Sequence, residues 1–238
     1  MMTDNNSNWV PSMSTYIDEE ALMKLIQRHG YIEFLRRNRE RSIIKVVSGI
    51  RRCGKSTLFR LFKDELLAEG VKPEQIISIN FEELEYEPLR EYHALYQYIL
   101  NQMQPNQMNY IFLDEIQHVD QFHRVVDSLF VKENTDIYIT GSNAMMLSGE
   151  LATLLSGRYI EISILPLSFS EYLKLDEIHD VRQAWNKYFE NGGFPYAIQI
   201  KDDDIRKDYL MGIYNTVLLK DIVARNKVQD ITLLESVV

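Results

Sequence analysis

The segment Gly49-Ile50-Arg51-Arg52-Cys53-Gly54-Lys55-Ser56 fills every fixed position of the pattern G-x-x-x-x-G-K-[ST]. An apolar run, Ile43 to Val47, precedes it, and a helical pattern starts near Lys55, which is the strand–loop–helix context the pattern requires. The glycines let the backbone close around phosphate oxygens, so that successive N–H groups and a helix N-terminus point at negative charge. In that arrangement Lys55 reaches the β- and γ-phosphates, Ser56 binds Mg²⁺ and Thr57 sits near the α-phosphate. Gly49, Ile50, Arg51, Arg52, Cys53 and Gly54 complete the cradle. Arg51 and Arg52 are candidates for contact with nucleotide or with a partner, and the pattern does not choose between them. Cys53 occupies a variable position and needs no catalytic role.

A loop of this kind calls for a sheet beside it, and four short apolar segments read as buried strands: Ser42 to Ser48, Gln75 to Phe81, Asn109 to Leu113, and Asp136 to Thr140. Tyr159 to Leu165 has strand composition with poorer alternation. Helical patterns over Lys55 to Glu69, Glu91 to Met103 and Val119 to Lys132 separate them, which predicts crossover connections and a parallel sheet covered on both faces. An earlier helical spacing from Asp18 to Asn38 is interrupted at Gly30. After Pro166 the pattern becomes helical: Phe169 to Leu175, Val181 to Asn191 and Asp202 to Ala224, broken by Gly192-Gly193-Phe194-Pro195. The expected organisation is an α/β core with a smaller all-helical subdomain. A flexible leader covers 1–15, the core with its N-terminal helix 16–166, and the helical lid 167–238. The last apolar pattern (Ile231, Leu233, Leu234, Val237) reads as a helix cut short, so the lid is expected to continue downstream.

The second half of a phosphate site is an acid at a neighbouring strand tip. Tyr110-Ile111-Phe112-Leu113-Asp114-Glu115 supplies it, with Asp114 placed to hold Mg²⁺ through water and Glu115 to polarise an attacking water. A third strand ends in Thr140-Gly141-Ser142-Asn143, where Thr140, Ser142 or Asn143 is expected to touch the γ-phosphate. Arg158, opening the fifth strand, is either a charge-stabilising arginine, in its own chain or a neighbour's, or an ordinary surface arginine. The Asn-Lys-x-Asp reader of guanine is absent, since Asn186-Lys187-Tyr188-Phe189 fails at its last position. His118 and His123, five apart, suit one metal-binding helix face poorly.

Charge is uneven along the chain. Arg28 to Lys63 carries eleven Lys and Arg against two Glu, and Asp64 to Glu91 carries nine acids against two bases, a pairing that suits an anionic ligand beside a divalent cation. The basic segment 36–45 is a candidate surface for a nucleic acid, a protein partner or a second copy. A coat of nucleic acid over the whole surface is disfavoured by a net charge of -9 and a pI of about 5.1. One cysteine favours a reducing compartment, and no run of about 20 apolar residues is present to cross a membrane, so a cytoplasmic location is expected.

Taken in order, SGIRRCGKST (48–57), FLDEIQ (112–117), TGSN (140–143), LSGRY (155–159), PLSFSEY (166–172), GGFP (192–195) and LKDIVA (219–224) resemble a family of AAA-type ATPases of bacteria and archaea. Its members join an N-terminal ATPase core to a C-terminal domain of unknown fold, for which a nuclease-like one is a candidate. The resemblance implies a P-loop NTPase core with parallel strands ordered 5-1-4-3-2. It also implies ATP and Mg²⁺ as ligands, and catalytic roles for Lys55, Glu115 and Arg158. Three functions are then open: an ATPase whose cycle moves the helical part, an ATP-gated binding switch with little turnover, and a small-molecule kinase. A kinase has no need of a water-polarising glutamate beside the metal-binding aspartate.

Overall fold

The computed structural model describes residues 28–142, 154–174 and 180–217. The leader at 1–15, the patterns before residue 28, Asn143 and everything after 217 lie outside the described residues. In chain order the elements are α1 (His29–Arg37), β1 (Ile44–Gly49), α2 (Lys55–Ala68), β2 (Ile76–Asn80), α3 (Tyr92–Gln102), β3 (Asn109–Asp114), α4 (Phe122–Phe130), β4 (Thr135–Ser142) and β5 (Tyr159–Ile164). Then come α5 (Phe169–Tyr172), α6 (Val181–Asn191), α7 (Pro195–Gln199) and α8 (Asp203–Thr216).

All four strand pairings are parallel, in the order β2-β3-β4-β1-β5, which is the expected order read from the other edge. Because both faces are covered, alternate residues of one strand enter different cores. In β3, Ile111 and Leu113 join Ile44, Val46, Leu95, Ile99 and Val126 under α3 and α4, while Tyr110 and Phe112 join Val47, Leu35, Phe59 and Phe62 under α1 and α2. That is why the strand reads as an unbroken apolar run. On the second face Phe112 stacks on Tyr138 at 4.6 Å, and Phe59 meets Phe112 edge-on at 5.2 Å.

Several boundaries differ from the sequence expectation for identifiable reasons. α1 begins at His29 after a non-helical Arg28, one residue before the expected interruption at Gly30, which is the second residue of the helix, where backbone N–H groups have no intrahelical partner and a glycine costs little. The helix expected from Val119 begins at Phe122, because Ile116–His118 forms a 3₁₀ turn and Gln121 takes a left-handed conformation. Pro195, at the end of the Gly192–Pro195 run expected to break the helical pattern, opens the short α7. Asp180 and Asp202 cap α6 and α8 with their side chains.

The basic segment is largely spent inside the molecule. Arg36 forms a two-pronged pair with Glu65, both contacts at 2.9 Å, and also meets Glu33. Arg39 pairs with Glu40 at 3.0 Å and with Glu69, and donates to the Tyr110 hydroxyl at 2.9 Å. Lys45 is wholly buried against Asp136, whose other oxygen accepts from the Tyr138 hydroxyl at 2.6 Å and the Glu40 N–H at 2.8 Å. Burial pushes the Lys45 ammonium down, with Asp136 opposing that shift. Arg37 and Arg41 are the exposed members of 36–45 with no ion pair among the described residues.

Removing Asp136 strands a buried ammonium and two donors. Asp136→Ala is expected to lower unfolding stability by about 3–5 kcal/mol, read as the midpoint shift in urea. The paired change Lys45→Met with Asp136→Leu should recover most of that loss.

Candidate functional site

β1 sits between β4 and β5, with Gly49 opposite Ser142 on one side and Ile164 on the other. The loop therefore opens at the carboxyl ends of three adjacent strands, where the chain order reverses and ligands of open α/β sheets bind. Gly49 is required by space: a Cβ there would lie 2.5 Å from the Ile164 carbonyl oxygen and 2.8 Å from the Cys53 sulfur. Gly54, at φ 101°, holds the left-handed conformation that starts α2 and puts Lys55, Ser56 and Thr57 in its first turn.

The neighbouring register brings the acids to the loop. Leu113 pairs with Ile139, so Asp114 emerges beside Thr140. The Thr140 hydroxyl donates to Asp114 Oδ1 and accepts the Glu115 N–H at 2.8 Å, and Ser56 also hydrogen-bonds Asp114. Glu115 itself is left-handed (φ 53°, ψ 49°), an uncommon conformation for a residue with a side chain. Its carboxylate meets Lys55 Nζ at 3.0 Å, and Gln117 Nε2 donates to its other oxygen. Lys55 also donates to the Gly49 carbonyl at 3.1 Å.

The two carboxylates are driven apart in acidity. Burial pushes Asp114 up, with the Glu115 charge adding to it and the Ser56 and Thr140 hydrogen bonds opposing. Burial pulls Glu115 in the same direction, but the Lys55 charge and the Gln117 hydrogen bond outweigh it and hold Glu115 below the usual carboxylate range.

A cavity of about 640 Å³ opens over the loop. Arg51, Arg52, Lys55, Thr57 and Glu115 line one side, and Tyr209, Gly212, Ile213 and Thr216 of α8 line the other. The Arg52 guanidinium lies 5.5 Å above the Tyr209 ring, and Arg51 pairs with Glu82 at 3.3 Å. The i, i+3, i+4, i+7 spacing of the α8 residues is legible in the sequence, although the sequence reading did not single them out.

One expected site residue lies elsewhere. Arg158 is at the opposite end of the sheet: its carbonyl accepts from Ile44 N–H at 2.9 Å, and β1 runs roughly 16 Å from there to the loop at about 3.3 Å per residue. Its half-exposed guanidinium faces Asp127 at 3.8 Å and the Phe130 ring at 5.7 Å, so it does not reach the loop of its own chain. Ser142 ends β4 beside Gly49. Thr140 is fully buried and committed to Asp114 and Glu115.

The sequence reading missed Arg28. Its guanidinium is buried and donates to the Cys53 carbonyl in the loop at 3.0 Å and to the Leu165 carbonyl just past β5 at 2.7 Å. It also donates to Glu171 of α5 at 3.0 Å. A single side chain thus ties the loop to the helical region, where the Leu167 N–H donates to the Gly193 carbonyl at 2.7 Å.

The family described as AAA domain matches residues 41–173, more than half of the chain. The chain belongs to this AAA domain family. An uncharacterised protein of Haemophilus influenzae is 41% identical over 219 residues, covering 90% of this chain and 54% of its own length. An uncharacterised protein of Methanocaldococcus jannaschii is 32% identical over 204 residues, covering 79% of this chain and 44% of its own. This AAA chain therefore spans about half the length of the curated relatives it matches. Among solved structures, AMPPCP-bound DnaA from Aquifex aeolicus is similar at a TM-score of 0.47 and 14% identity, over 81% of this chain and 64% of that one. Among the described residues of the AAA chain, no helix is long and apolar enough to cross a membrane.

Cys53, the one cysteine, reports on the loop. It is buried, and burial pushes its thiol up, so a thiol reagent near neutral pH should label it far more slowly than free cysteine. Arg28→Ala should accelerate labelling by freeing the Cys53 carbonyl, measured as a second-order rate with Ellman-type reagent.

Proposed function

We propose that this AAA domain binds ATP with Mg²⁺ and hydrolyses it, and that the cycle moves the helical part against the α/β core. The observation that carries this reading is the meeting of Lys55, Ser56, Asp114 and Glu115 at one loop, beneath a cavity that Lys55, Ser56 and Glu115 line on one side and α8 on the other. Lys55 neutralises charge on the β- and γ-phosphates. Phosphate competes with Glu115 for Lys55, which frees a carboxylate oxygen to act as base. Glu115 then takes a proton from water as the water oxygen bonds to the γ-phosphorus and the bond to the ADP oxygen breaks.

Asp114 and Ser56 are the residues that would hold Mg²⁺, which when bound supplies charge neutralisation at the phosphate oxygens. The donor set fits: two oxygen side chains leave the remaining positions to phosphate and water, as this ion prefers. Among the described residues no group of three or more His, Cys, Asp or Glu gathers to cage a metal by protein alone. In this reading Ser142 and Asn143 sense the bound nucleotide, and Gly49 to Gly54 form the cradle. The distance from Arg158 to its own loop favours action in a neighbouring copy of a homo-oligomer. A protein or nucleic-acid target, if it uses the basic segment, meets Arg37 and Arg41. A cytoplasmic location is part of the same reading.

One observation favours a second reading. The Lys55–Glu115 pair ties the loop to the tip of β3 in a way that ATP would break, so occupancy alone is able to switch a partner surface without rapid turnover. A small-molecule kinase fits less well, because Glu115 would have no task.

Phosphate release from ATP separates these readings. Glu115→Gln is expected to retain ATP affinity and lose turnover by about 100-fold or more, while Lys55→Ala loses binding. Equal loss of binding in both overturns the assignment for Glu115, and tight binding without release in the native chain favours the switch. Specific activity that rises with protein concentration, and falls in Arg158→Ala, is expected if Arg158 acts across a subunit boundary.

A further inference from the structure

Glu115 follows β3 directly in a left-handed conformation and leads into the 3₁₀ turn Ile116–His118. That reversal brings the side chain of Gln117 back onto the carboxylate two residues before it, with Gln117 Nε2 donating to Glu115 Oε2. Lys55 is held at 3.0 Å by Oε1, so each oxygen of Glu115 has its own side-chain donor. The two donors differ in what happens on ATP binding. Lys55 is claimed by phosphate, whereas Gln117 is uncharged and has no reason to leave.

The orientation of the Gln117 amide follows from chemistry. An ionised carboxylate only accepts, so the amide NH₂ faces Glu115 and the amide oxygen points away. That oxygen is buried and without a hydrogen-bond partner among the described residues. A buried acceptor left without a donor costs stability, so an apolar side chain of equal length would serve packing better than glutamine. Stability does not account for a glutamine here; its contact with Glu115 does.

We propose that Gln117 is the positioning residue that holds the Glu115 carboxylate in line for proton abstraction once ATP has drawn Lys55 away. This rests on the hydrolytic reading of the site. Gln117 touches neither the phosphates nor the reacting water in this assignment, and it acts through Glu115.

The test uses the full chain with Gln117→Met, Gln117→Glu and Glu115→Gln, following ATP turnover, binding of a fluorescent ATP analogue and the thermal midpoint. In Gln117→Met the side-chain length is kept and the donor lost. The expected result is a fall in kcat of about 10–100-fold with KM for ATP within about twofold, and a thermal midpoint unchanged or higher. Gln117→Glu keeps the shape but replaces the donor with a repelling carboxylate, so its kcat should fall at least as far. A packing role would give the opposite pattern, with a lowered midpoint in the methionine variant and near-native kcat in both. Native kcat in either variant while Glu115→Gln is inactive overturns the role of Gln117 and leaves the hydrolytic reading standing. Native turnover in Glu115→Gln overturns both.

Discussion

The register between β3 and β4 is the constraint on which the rest of the site depends. With Leu113 opposite Ile139, the next residue of each strand is a site residue, and Thr140 lies against both Asp114 and Glu115. Strand side chains alternate faces, so a slip of one residue would turn Asp114 into the core and present Leu113 to the loop. The register is secured lower in the sheet by side chains that tolerate no such slip. Phe112 stacks on Tyr138, and Asp136 engages Lys45 of β1 in a pocket from which water is excluded. The same ionic cluster that fixes the far end of the sheet thus sets the geometry of the acids at the near end.

This arrangement gives the basic segment a different meaning from the one its composition suggests. A run of Arg and Lys near a phosphate loop resembles a surface for polyanions. Glu65 of α2, Glu69 just after it and Asp136 of β4, remote in sequence, neutralise Arg36, Arg39 and Lys45. The segment works as a hinge pin between α1, α2 and the sheet. Its charge is compensated locally, and the acidic stretch that begins at Asp64 supplies part of that compensation.

Much of the fold was legible because its signals are local. The phosphate loop, the apolar runs of β1 and β3 and the acids after Leu113 each announce themselves within a dozen residues, and the five strands fall within a residue or two of their expected places. The resemblance to a family supplied the strand order, which periodicity alone does not contain. What was not legible depends on partners far along the chain. Arg28 looks like one more base in a basic stretch until Cys53, Leu165 and Glu171 are seen around it. Arg158 reads as a site residue because it opens a strand next to β1, yet parallel strands put their first residues at the end away from the loop. The 3₁₀ turn after Glu115 shortened the expected helix and, in doing so, delivered Gln117.

Arg28 has a further consequence, for the order in which the molecule is assembled. Its contacts reach 25 residues forward to the loop, 137 to the end of β5 and 143 to α5. Closing a loop of that length is entropically unfavourable unless the intervening chain is already compact, so the guanidinium can find its three acceptors only after the sheet has formed. On a ribosome, the strand that carries the phosphate loop is made before β5 and α5, so the clamp on its Cys53 carbonyl waits for the far edge of the sheet and the first helix beyond it. The loop is synthesised before the elements that fix its shape.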